Sequence, residues 1–116
     1  MKIMKHILFD LKDCPFNLLD DARFVRNILF HASILSESQI LKIDFHKFQP
    51  QGVTAFAMLA ESHISIHTWP EEGVAKCDIF TCSDKCKPEK AVEYLVKHLK
   101  QNKLTLILLT DYYERI

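Results

Sequence analysis

Glu61-Ser62-His63-Ile64-Ser65-Ile66-His67-Thr68-Trp69-Pro70-Glu71 decides how the chain is read. From His63 to Trp69 polar and apolar residues alternate with the period of a strand. His63, Ser65, His67 and Trp69 fall on one face, and Ile64, Ile66 and Thr68 on the other. An edge strand with a wet face would account for the pattern. Yet imidazoles and hydroxyls lined up together need hydrogen-bond partners once buried, so they cost stability unless they are used.

Outward from this strand, the neighbouring segments give the fold. Ile3 to Leu11 reads as a first strand that Pro15 ends, because proline supplies no ladder N–H. Asp20 or Asp21 can cap a helix carrying Phe24, Ile28 and Ala32 on one side, with Val25, Leu29 and Leu35 beside them. Ile40 to Phe48 and Val53 to Ala60 are strands separated by the turn Gln49-Pro50-Gln51-Gly52. Glu72-Gly73 makes the next turn, and Val74 to Thr81 the next strand. Pro88 suits the first turn of a second helix with Ala91, Leu95 and Leu99 along a stripe and a stop at Asn102. Leu104 to Leu109 is a last strand, and Asp111 to Ile116 reads as a polar tail. Strands joined by tight turns pair antiparallel. The expected fold class is α+β, a two-layer sandwich with both helices on one face of an antiparallel sheet. The other face then needs a partner, which favours a homodimer.

A chain of 116 residues forms one domain, spanning residues 1–116. Its 48% apolar and 26% charged content suits a globular protein. The formal net charge of zero gives no global field toward nucleic acid or a membrane surface. The N-terminal run, broken by Asp10 and Lys12, reads as neither signal peptide nor membrane span, so a cytoplasmic protein is expected. Cys14, Cys77, Cys82 and Cys86 are then expected as thiols. No metal is expected. His63 and His67, four residues apart on a strand, are about 13 Å apart by rise alone, and Cys77, Cys82 and Cys86 do not have zinc-pair spacing.

Three ordered motifs resemble one family. Phe45-His46-Lys47-Phe48, Pro50 and Gly52-Val53 come first, Glu61 to Glu71 second, and Asp78-Ile79-Phe80-Thr81-Cys82 third. Together they resemble the small prokaryotic S-adenosylmethionine decarboxylases, which build a pyruvoyl cofactor from one of their own serines. The likeness runs from about Lys5 to Leu109. It implies self-cleavage between Glu61 and Ser62, giving a β chain Met1–Glu61 and an α chain that begins with a pyruvoyl group made from Ser62.

By the same resemblance, His67 serves processing with support from the Thr54 hydroxyl, at a place where the family more often has serine. The ketone from Ser62 forms a Schiff base with the substrate α-amine, and Cys82 returns a proton to the α-carbon. A thiol can do so unless its site holds it as thiolate. Phe48 matches an aromatic that stacks on adenine, and Glu71 a glutamate that grips ribose. The resemblance also implies active sites between two protomers and a place in polyamine, including spermidine, biosynthesis.

The sequence departs from the family at Lys12-Asp13-Cys14, at Glu72-Gly73-Val74 and at Ser83-Asp84. Aromatic residues are lost there and acidic ones gained. Aromatic faces hold a sulfonium, whereas carboxylates such as Asp13 and Glu72 hold a guanidinium or ammonium. S-adenosylmethionine stands first as substrate, and L-arginine or L-ornithine is the alternative. An inactive relative acting as a binding or regulatory partner is a further alternative, against which Ser62, His67 and Cys82 all stand intact.

Overall fold

The structure is a computed structural model that describes residues 2–99 and 103–114, with the backbone alone for residues 2, 3 and 103–114. The chain runs β1 (Lys2–Lys12), α1 (Phe16–Leu19), α2 (Ala22–Leu35), β2 (Ile40–Lys47), β3 (Val53–Leu59), β4 (Ser62–Trp69), a 3₁₀ turn (Pro70–Glu72), β5 (Val74–Thr81), α3 (Pro88–His98) and β6 (Lys103–Glu114). The strands form a single antiparallel sheet in the order β2-β3-β4-β5-β1-β6.

Local chemistry explains the element boundaries. Asp21 caps α2 by accepting from Phe24 N at 3.0 Å, which satisfies one of the N–H groups a helix start leaves over. Pro88 occupies the first turn of α3, where no N–H is required. Gly73 ends the 3₁₀ turn with φ 67°, and its carbonyl accepts from Cys14 N at 2.9 Å. A Cβ at that position would stand 3.2 Å from the Cys14 carbonyl oxygen, so both backbone angle and space ask for glycine.

Alternation divides the sheet into two faces. Val53, Ala55, Ala57 and Leu59 of β3, Ile64 and Ile66 of β4, and Ala75, Cys77 and Ile79 of β5 are buried under the helices. From α2, Val25, Ile28, Leu29 and Ala32 join them, and from α3, Ala91 and Leu95. Full burial of each large aliphatic side chain contributes roughly 1.5–3 kcal/mol. The opposite face carries His6, His63, Ser65, His67, Lys76, Asp78 and Phe80, with Phe56, Met58 and Trp69 exposed. No helix among the described residues is long and apolar enough to cross a membrane.

The α+β sandwich is as expected, with a further short helix, α1, covering the same core through Leu19. One expectation fails. Asp111 to Glu114 is not a tail but the end of β6, paired with Lys2–Lys5 of β1. The long first strand leaves its outer row of N–H and C=O groups open, and main-chain pairing takes them up whatever the side chains are. The stop at Asn102 lies outside the described residues; α3 itself ends at His98.

Candidate active site

The β3–β4 connection is a two-residue hairpin loop, since Leu59 pairs with Ser62 across Ala60 and Glu61. Glu61 sits at φ 60°, a left-handed conformation that costs a residue with a Cβ about 1–2 kcal/mol. The next residue, Ser62, turns to the same face as Ile64. Its Oγ is buried, and among the described residues it is the one buried side-chain polar atom without a hydrogen-bond partner. Such an orphan costs about 1–3 kcal/mol. Two unfavourable features therefore flank one peptide bond.

Beside this loop is a hollow of about 490 Å³, lined by Glu61 and Cys82 together with Gln39, Ser83 and Lys85. Cys82 follows the last residue of β5 and is 9% exposed. At the rim Glu37 pairs with Lys87 at 2.9 Å, and this hydrogen bond holds the Glu37 carboxyl below its ordinary pKa.

The other predicted residues collect at the far end of β4. A second hollow, of about 300 Å³, is lined by Phe48, Thr54, His67, Trp69 and Glu71. Thr54 Oγ1 and His67 Nδ1 are 3.0 Å apart across the β3–β4 pair; with Nδ1 unprotonated, the hydroxyl donates. Phe48 is placed by a turn in which its N–H donates to the Gly52 carbonyl at 2.9 Å. Asp20 fastens that turn, accepting from Gly52 N at 2.9 Å and lying 3.0 Å from Lys47 Nζ. The Gly52 N–H and then Lys47 hold the Asp20 carboxyl below its ordinary range. Thr68 serves the frame by donating to the Leu19 carbonyl and accepting from Val53 N.

The predicted residues thus form two half-sites. Glu61, Ser62 and Cys82 lie at one end of β4, and Phe48, Thr54, His67 and Glu71 at the other. His67 is five residue steps along the strand from Ser62, about 17 Å, and alternation puts the two on opposite faces. Asp13, at φ 59°, and Glu72 come together at the second end through the Cys14–Gly73 hydrogen bond. Neither lines the hollow that Phe48 and Glu71 share.

One grouping was not anticipated. Asp78 Oδ2 stands 2.8 Å from His6 Nε2 and 2.9 Å from His63 Nε2, and Ser65 Oγ donates to Oδ1. Partial burial pushes the Asp78 carboxyl up, but the three hydrogen bonds outweigh it and hold its pKa below the ordinary value. His63 and Ser65 were visible as polar positions of β4. His6 lies 72 residues before Asp78, and only the adjacency of β1 and β5 unites them.

Comparisons with known proteins bear on the family and the fold. A family model described as S-adenosylmethionine decarboxylase matches residues 5–110. An S-adenosylmethionine decarboxylase proenzyme from Prochlorococcus marinus (strain MIT 9211) is 48% identical over 104 residues, covering 90% of this chain and 85% of its own. One from Synechococcus sp. (strain WH7803) is 49% identical over 96 residues, covering 83% and 75%. The crystal structure of the adenosylmethionine decarboxylase from Aquifex aeolicus VF5 matches with a TM-score of 0.85 at 31% identity, over 99% of this chain and 92% of that one. The chain belongs to the S-adenosylmethionine decarboxylase family.

Proposed function

We propose that the protein is made as a precursor, cuts itself between Glu61 and Ser62, and then decarboxylates S-adenosylmethionine to give the aminopropyl donor for polyamine synthesis. The observation that carries this is the buried, unpartnered Ser62 hydroxyl beside a left-handed Glu61. An Oγ without a partner is free to attack the Glu61 carbonyl, which converts the amide to an ester. Loss of the Ser62 α-proton then expels the Glu61 carboxylate and leaves dehydroalanine. Water hydrolyses this to a pyruvoyl group with release of ammonia. The break falls in a hairpin loop, so β3 and β4 keep their ladders and the cut chains stay together.

The site fits such a group. The Ser62 Oγ is buried, and the hollow beside the adjoining Glu61 has Cys82 in its wall. The pyruvoyl group would supply a ketone that condenses with the substrate α-amine and a carbonyl that takes up electrons as carbon dioxide leaves. Cys82 holds the proton that returns to the substrate α-carbon. Phe48 and Trp69 offer ring faces to adenine and sulfonium, and Glu71 accepts hydrogen bonds from the ribose hydroxyls. His67 takes the serine proton during self-cleavage, and the Thr54 hydroxyl supports it.

These roles require a second copy. Within one chain His67 is about 17 Å along the strand from Ser62. A homodimer that packs the two open sheet faces together, related by a two-fold axis, sets the Thr54–His67 end of one protomer against the Ser62–Cys82 end of the other. It also covers Phe56, Met58 and Trp69, each more than a third exposed here. The active species is then a homodimer of processed αβ protomers. We place it in the cytoplasm, where Cys14, Cys77, Cys82 and Cys86, all free, stay as thiols.

Carbon dioxide release from S-adenosylmethionine, L-arginine and L-ornithine by the purified enzyme tests the substrate. Release from S-adenosylmethionine alone is expected, and release only from arginine or ornithine would overturn the assignment.

A further inference from the structure

The His6–His63–Asp78 group lies on the open sheet face and has no part in the chemistry above. Its members come from three adjacent strands in the order β4-β5-β1, so the sheet ladders fix their spacing. His63 is held between two rings, stacked on Phe56 at 5.4 Å and on Phe80 at 6.0 Å between centroids. His6 meets Phe80 edge-on at 5.8 Å and His63 at 6.2 Å with 77° between planes. Both imidazoles are thereby turned to present Nε2 to one carboxylate oxygen. The three donor atoms lie within 4.8 Å of one another. Asp78 is anchored from behind, because its second oxygen accepts from Ser65.

Two of the three donor separations come close to what a divalent ion of the zinc class requires, and the third is bounded at 4.8 Å. Two imidazole nitrogens and a carboxylate oxygen at about 2.0 Å from such an ion stand roughly 3.3 Å from each other in a tetrahedron. The two nitrogen–oxygen separations of 2.8 and 2.9 Å need to open by only a few tenths of an ångström. The ligand types suit borderline cations such as zinc, cobalt or nickel rather than magnesium or calcium. Ser65 supplies the outer hydrogen bond that orients a metal-binding carboxylate, and Phe56 and Phe80 fix one of the rings. In the single chain the side-chain exposures are 35% for His6, 31% for His63 and 24% for Asp78, and in the homodimer proposed above this side of the group faces the partner's sheet.

We infer that His6, His63 and Asp78 form a binding site for one late first-row divalent cation per protomer, with the remaining coordination positions turned toward the partner's sheet in the homodimer. An ion there ties β1, β5 and the start of β4 together immediately after Ser62. The inference stands on the geometry of the cluster and does not depend on the reaction proposed above.

Cobalt(II) titrated into chelator-treated full-length protein tests it without using activity. One equivalent should bind with visible d–d absorption and without the near-ultraviolet charge-transfer band that a thiolate ligand gives. Zinc should displace it and raise the melting temperature. His6→Gln and Asp78→Asn should each weaken binding by about tenfold or more. His98→Gln, on α3, should bind as the wild type does. Absence of the d–d band, a thiolate charge-transfer band instead, or equal affinity in His6→Gln would overturn the inference. Because His6→Gln keeps a hydrogen-bonding side chain at that place, it decides the matter even if Asp78→Asn does not fold.

Discussion

Replacing Ser62 by alanine removes both the attacking oxygen and the orphan it represents. That variant should remain one 13.5 kDa chain on a denaturing gel and release no carbon dioxide. His67→Ala should slow self-cleavage by about 10²–10⁴-fold, the usual worth of a positioned base, as read from the rate at which full-length chain disappears. Thr54→Ser keeps the hydroxyl 3.0 Å from His67 and should leave cleavage intact, whereas Thr54→Ala should slow it. The sequence singles out Ser62, His67 and Cys82 because each stands in a motif that resembles the family's. The orphaned state of Ser62 was not legible, since burial without a partner depends on what the folded chain brings near. His6 was invisible for a similar reason: nothing local to it announces Asp78.

The elements were legible where periodicity is long. β4 and β5 alternate along their whole length, and α2 and α3 carry apolar stripes. α1 spans four residues and the turn at Pro70–Glu72 three, too short for a period to register. The outer half of β6 depends on an open strand edge rather than on its own pattern.

Two predictions belong at this scale. Gly73→Ala forces a Cβ into a left-handed residue 3.2 Å from the Cys14 carbonyl oxygen. It should destabilise the fold by about 1–2 kcal/mol in denaturant unfolding. Asp20 has a carboxyl held below its unfolded pKa by Gly52 N–H and Lys47. Its contribution is therefore present above about pH 4 and lost as pH falls through the folded value. The stability gap between wild type and Asp20→Asn should be full at pH 7 and should close in acid. A gap that widens on acidification would show that the Asp20 clasp on the Gly52 turn has been misread.

At the scale of the whole molecule, the division of the site between the two ends of β4 decides what the active particle is. If each site takes Ser62 from one protomer and His67 from the other, co-expressed Ser62→Ala and His67→Ala chains should complement. Their mixed dimer has one intact site, so the His67→Ala chain should be cut and the Ser62→Ala chain should stay whole. With both residues working within one chain, neither would be cut efficiently. The sequence suggested a partner through its uncovered face. The resemblance implied a site between two protomers, but which residues gather at which end of β4 was not legible, because distance along a strand and side of the sheet matter only once the strands are assembled. The proposed activity depends on the main chain breaking at one place. Intact-mass measurement of the purified wild-type protein is the most direct test. Two chains should be found, the larger ending at Glu61 and the smaller opening on a pyruvoyl group at position 62. A single mass for all 116 residues, with serine unchanged at position 62, would contradict the account.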